Sequence, residues 1–312
     1  MRSNGRDAAR CPLPVARRPS PVTRRPSPVS GSLDHAGVGF NTRHDGGRRY
    51  HELAVGTVRR AIAVIPAVPA VALVAVATQV LRAAHRSDLP SFPNQDPSGT
   101  FGDPGAPPLR IVALGDSSIT APGVEDLDNT WVRRVARALT ERHRVELISV
   151  AVGGAQARDV IEGQLAEAVR LQPDVALVSV GANDALRGVP PERYRAELRR
   201  IIDRLEDTGA SVVLYGMGDM ASIPRLPPTL RRWATRRSDV FDRIARETAA
   251  ASRRTVKVYT QGRVRTAFHE DRSLFAGDLF HAGDTGHAVF AEAALPAFEA
   301  AIALSRAHHN GG

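Results

Sequence analysis

"LRIVALGDSSIT", residues 109–120, decides the fold. Its first six residues form a short apolar run without helical spacing, and the run stops at Gly115-Asp116-Ser117. Such a run predicts a strand covered on both faces. Gly, Asp and Ser are common turn formers, so Ser117 has two readings: a turn residue, or a hydroxyl presented from a strand end. Runs of the same kind recur at "RVELISV" (144–150), "VALVSV" (175–180), "SVVLYG" (211–216) and "TVKVY" (255–259). Between them, about 131–142, 157–171, 191–208 and 228–252 carry helical periodicity, and a last helix fills about 286–304. Five strands with intervening helices predict an α/β protein, a three-layer α/β/α sandwich around a five-stranded parallel sheet. In such sheets functional groups gather at the carboxyl ends of the strands, where Ser117 lies.

Working outward, 312 residues with 43% apolar content suffice for one substantial core and about 100 residues outside it. The formal charge of +9 suggests nucleic acid until it is located: residues 1–60 hold 12 arginines against four acids, leaving the remainder nearly neutral. A phosphate-binding face on the folded domain therefore lacks compositional support, and no nucleic-acid partner is expected. Residues 1–58 are rich in Arg, Pro, Gly and Ser, repeat "RRPSPV" at 17–22 and 24–29, and read as a disordered tail. The stretch 59–85 reads as a hydrophobic helix, because "AIAVIPAVPAVALVAVATQVL" (61–81) has no charge in 21 positions. At about 1.5 Å per residue it reaches across a bilayer's hydrocarbon core, which makes it a membrane anchor; packing on the domain is the alternative. Five arginines precede it within 18 residues and two follow, a bias that leaves the tail in the cytoplasm and the domain outside. Cleavage after Ala75-Val76-Ala77 would instead release a secreted domain, and a helix packed on the domain would permit a cytoplasmic one. Residues 86–108 read as a Pro/Gly-rich linker, 109–306 as the folded domain and 307–312 as a disordered end. Cys11 stands alone, so neither an intrachain disulfide nor a cysteine metal site is possible, and composition leaves the oligomeric state open.

A serine becomes a useful nucleophile only beside a base. "GDLFHAGDTGH" (277–287) offers Asp278 with His281 and, at the same spacing, Asp284 with His287. The first pair is preferred, because His281 stays in a loop whereas His287 opens the last helix. Two further strand ends supply donors for a developing oxyanion: the Asn183 amide in "SVGAND" (179–184) and the Gly154 N–H in "AVGGAQ" (151–156).

Gly115-Asp116-Ser117, Gly154, Gly181-Ala182-Asn183-Asp184 and Asp278-Leu279-Phe280-His281 resemble, in that order, the four blocks of the SGNH, or GDSL-type, hydrolases, a family of esterases and lipases with a flavodoxin-like fold. The resemblance covers about 109–304. It implies Ser117 as nucleophile, His281 as general base and acid, Asp278 as its orienting partner, and the N–H groups of Ser117 and Gly154 with the Asn183 amide as oxyanion donors. Two positions depart from the family: Ser149 or Val150 stands where Asn is usual, leaving Gly153 and Gly154 as alternatives, and Ala282 stands where Pro is common. The expected activity is cofactor-free cleavage of a carboxylic ester, small-molecule or lipid, through an acyl-enzyme. O-deacetylation of cell-envelope polysaccharide and a non-catalytic, membrane-tethered binding module are the alternatives. "GMGDMA" (216–221) imitates a dinucleotide loop, but "SIPRLPP" follows it where a helix should begin, so the loop is expected to flank the substrate cleft. The ten histidines show no metal-binding spacing.

Overall fold

The structure, a computed structural model, describes residues 74–79, 82 and 86–309. The tail 1–58, most of the apolar segment 61–81 and residues 310–312 lie outside the described residues; residues 74–79 are helical. Six strands form one sheet: β1 (Gly99–Phe101), β2 (Pro108–Gly115), β3 (Arg144–Ser149), β4 (Val175–Ser179), β5 (Ser211–Tyr215) and β6 (Thr255–Lys257), in the order β1-β3-β2-β4-β5-β6. β2 to β6 run parallel, with Ala113 opposite Ser149 and Gly115 opposite Ser179. This is the flavodoxin-like order, and its switch point falls between β2 and β4, the strands that lead into Ser117 and Asn183.

Nine helices follow from residue 117 onward: α1 (Ser117–Thr120), α2 (Trp131–Ala138), α3 (Ala157–Gly163), α4 (Leu165–Arg170), α5 (Ala182–Leu186), α6 (Pro191–Glu206), α7 (Arg231–Ala251), α8 (Arg263–Glu270) and α9 (Asp284–His309). Along β2, Val112 and Leu114 enter a core shared with α3, α4, α6 and α7, while Ile111 and Ala113 enter another shared with α2 and α9. Successive side chains of a strand point to opposite faces, so a central strand covered on both must be apolar throughout. A smaller cluster of Val264, Phe268 and Leu274 joins α8 to α9.

The sheet has six strands rather than five. The extra one, β1, lies within the expected linker and pairs antiparallel with β3, Thr100 opposite Glu146. Three residues among Pro and Gly show no strand period; β1 exists because the edge of β3 offers unpaired backbone groups. Its neighbours are equally ordered: Arg133 donates to the carbonyls of Pro97 and Ser98, and Gln95 donates to those of Ala121 and Val124. α8 was also not expected, being short for a periodicity window. The helix expected at 157–171 is broken at Gln164, whose side chain turns into the sheet. Within α9, Asp284–Arg306 is long and apolar enough to cross a membrane, but here Ala294, Phe298 and Ala301 are buried against the sheet and α2.

Candidate active site

The turn carrying Ser117 is fixed from three sides. Gly115 has φ +149°, and a Cβ there would lie 2.0 Å from the Ser179 carbonyl oxygen, so only glycine lets β2 end this close to β4. The Gln164 side chain pairs with both backbone groups of Gly115, accepting its N–H at 2.8 Å and donating to its carbonyl at 2.9 Å. Asp116 caps α1, its Oδ1 accepting the Ser118 N–H. Trp131 Nε1 donates to the Ser118 carbonyl at 2.7 Å, and the Ser118 and Ser179 hydroxyls are 2.6 Å apart. Ser117 thus begins a short helix at the carboxyl edge of the sheet.

Asn183 arrives from β4 through Gly181, whose φ of +126° and proximity to the Tyr194 hydroxyl exclude a side chain. Its amide donates to Asp116 Oδ2 at 3.3 Å and to the Ala155 carbonyl at 3.2 Å, tying the first, second and third parallel strand ends together. Burial raises the carboxyl of Asp116 above its ordinary range, against the hydrogen bonds it accepts from Ser118 and Asn183. Asp184, the next residue, is buried and accepts the Ala157 N–H at the start of α3; burial pushes its pKa up to about 6.

Asp278 and His281 make the expected contact, Nδ1 to Oδ2 at 2.6 Å. Asp278 Oδ1 also accepts the N–H groups of Phe280 and His281, a turn that places Leu279 at φ +59°. Burial alone would raise this carboxyl, but the hydrogen bonds from His281 and Phe280 outweigh it and hold it below its ordinary range. Asp284 and His287 do not pair. Asp284 accepts the Glu125 N–H, and His287 Nδ1 accepts the N–H of Trp131, the first residue of α2. An imidazole used as an acceptor in this buried position is neutral; burial, with Arg134 and His281 nearby, pushes its pKa down to about 3.

Ser117, Asn183 and His281 line one cavity of about 170 Å3, with Met217, Met220, Phe268, Phe280 and Phe290 among its walls. Gly154 does not line it; it sits in the loop after β3 at φ +79°, one residue from the carbonyl that holds Asn183. At Gly153 a Cβ would meet the Asn94 side chain at 2.0 Å. The loop 216–221 does flank the cavity, and Asp219 within it binds Arg265 Nη2 at 2.8 Å and His269 Nε2 at 3.1 Å, both on α8. Among the described residues no group of His, Cys, Asp or Glu is arranged to hold a metal ion. The supporting roles of Gln164 and Asn94 carried no sequence signal, since each depends on a contact with a residue far away in the chain. Asp116 and Asp184 stood inside the motifs, but their cross-strand bonds could not be read there.

A sequence model of the GDSL-like lipase/acylhydrolase family matches residues 113–289. An arylesterase of Vibrio mimicus is 29% identical over 142 residues, 44% of this chain and 65% of the relative. A GDSL-like esterase of Mycobacterium tuberculosis is 33% identical over 149 residues, 46% of each. The match therefore spans between about half and two thirds of these relatives' length. In fold, the chain is similar to the crystal structure of TesA, with a TM-score of 0.51 at 22% identity over 62% of this chain and 99% of that one. It is likewise similar to a catalytic mutant of an acetylxylan esterase from Geobacillus stearothermophilus, with a TM-score of 0.50 at 18% identity over 62% and 94%.

Proposed function

The chain belongs to the GDSL-like lipase/acylhydrolase family, and from that premise we propose that it is an ester hydrolase, cleaving carboxylic esters by acyl transfer to Ser117. His281 takes the Ser117 proton as the hydroxyl attacks the ester carbonyl, then returns it to the departing alcohol. Asp278 fixes the ring with Nδ1 protonated and steadies the imidazolium. The Asn183 amide and the Ser117 N–H stabilise the oxyanion from the cavity wall, and Gly154, which does not line the cavity, is assigned the third donor on the family resemblance alone. Water then attacks the acyl-enzyme, with His281 again as base, and releases the acid. The single observation that carries this reading is a Ser, an Asn and an Asp-held His from separate chain regions lining one cavity. In the resting structure both protons of the Asn183 amide are engaged, by Asp116 and Ala155. One of these two bonds yields as charge develops on the substrate oxygen.

The phenylalanine and methionine side chains around the cavity favour an apolar acyl group over the acetyl group of a decorated polysaccharide. The segment 61–81 serves as the bilayer anchor, with the hydrolase domain outside the cytoplasm. Ser117→Ala is expected to abolish turnover of a short-chain nitrophenyl ester and labelling by a fluorophosphonate. Unchanged turnover in that variant overturns the assignment of Ser117. Fractionation of cells carrying a C-terminally tagged chain is expected to recover it with membranes, and wholly soluble full-length protein contradicts the anchor.

A further inference from the structure

From Met220 to Ser238 the chain has five arginines and neither Asp nor Glu. On α3, α4 and α6 arginines sit beside acids, as in Arg158–Glu162, Arg170–Glu167 and Arg193–Glu197. Here two of them turn inward. Arg231 donates to the Ala221 carbonyl, and Arg237 donates to that of Val189 with its guanidinium over the Phe241 ring. Arg232 and Arg236, one turn apart on α7, are exposed and have no carboxylate partner among the described residues, and Trp233 beside them is 39% exposed. Two contacts orient this face. Thr229 donates to Gln79, at the end of the apolar segment 61–81, at 2.7 Å, and Ser222 and Ile223 line the cavity that holds Ser117.

We infer that residues 222–237 form a docking face for an anionic bilayer surface. Arg232 and Arg236 are drawn to the negative potential of anionic headgroups, and a half-exposed tryptophan fits the headgroup layer, apolar in its ring and polar at its N–H. The contact with Gln79 sets this face beside the carboxyl end of the uncharged stretch 61–81, whose length and composition suit the same bilayer. Docking brings the cavity rim at Ser222 and Ile223 to the membrane, where an ester can pass from the lipid phase to Ser117. That consequence, unlike the docking itself, rests on the proposed esterase activity.

The test uses the full-length chain reconstituted into phosphatidylcholine vesicles with about 30% phosphatidylglycerol and brominated acyl chains, at low ionic strength where such charge attraction is strongest. Trp131 is fully buried, so quenching of tryptophan emission reports Trp233. Expected are strong quenching in the anionic vesicles and little in pure phosphatidylcholine or about 0.5 M sodium chloride. Arg232→Gln with Arg236→Gln is expected to lower the ratio of docked to undocked domain by about thirtyfold, with unchanged hydrolysis of a soluble nitrophenyl ester and unchanged circular dichroism. The charge-reversed pair, Arg232→Glu with Arg236→Glu, should lower it further. Equal quenching in neutral and anionic vesicles, or quenching insensitive to both pairs, overturns the inference. So does binding of RNA or polyglutamate by the parent chain while vesicles leave Trp233 unquenched. Carrying the same measurement through Ser117→Ala separates a failure of docking from a failure of the catalytic assignment.

Discussion

Asn183 is held by an acid and a carbonyl that its own strand does not supply, and its value to the reaction depends on being held rather than merely present. Asn183→Ala is expected to lower kcat by about 10²–10³ with a much smaller change in KM, because the amide acts on charge that exists only in the transition state. A variant within twofold of the parent removes Asn183 from the oxyanion role. His287 makes a different kind of prediction, since it is buried, neutral and structural. Its folded pKa, about 3, lies below its ordinary value of about 6.5. Between those values the unfolded chain takes up a proton that the folded one refuses, so His287 lowers stability as pH falls through that window. The slope is at most about 1.4 kcal/mol per pH unit. Asp184, raised to about 6, acts in the opposite sense, so the observable is the difference between parent and variant. His287→Asn, which keeps an acceptor for the Trp131 N–H, is expected to flatten that part of the denaturation-versus-pH curve. Identical slopes in the two proteins would refute the neutral assignment.

At the scale of elements, the break between α3 and α4 has a purpose. The interruption falls at Gln164, whose amide extends the hydrogen bonding of β2 by one residue, at the strand end that carries Ser117. Gln164→Leu leaves the Gly115 N–H buried without a partner and the Gly115 carbonyl with the Val152 N–H alone, and the expected loss is about 1–3 kcal/mol in urea denaturation. A cost below about 1 kcal/mol would mean that water or a shift of the turn replaces the amide. α8 shows the same dependence on context, because its eight residues are held by Phe268 stacking on Phe290 and by Arg265 and His269 reaching Asp219.

Across the whole molecule, the stretch expected to be a linker is a strap across loops that neighbour the site. Phe92 fills the space beside Gly123, Pro90 that beside Gly277, and Asn94 takes the Thr120 hydroxyl at 2.6 Å while occupying the space beside Gly153. The strap thus touches the loops that follow β2 and β3 and the loop before Asp278. A fragment starting at residue 86 is expected to retain full ester turnover and one starting at 103 to lose most of it while remaining folded; equal turnover by the two would show the strap to be inert. The sequence by itself determined the five parallel strands, the covered faces of the sheet and the identity of the Ser, Asn, Asp and His candidates. Those features are written locally, in apolar runs long enough to bury two faces and in turn residues directly after them. Only the tertiary structure decided that β1 exists, that His287 serves α2 rather than Ser117, that Gln164 braces Gly115, and that the strap crosses three loops. Each of these is a bond between residues dozens of positions apart, whose partner is supplied by packing and leaves no period or spacing in the chain.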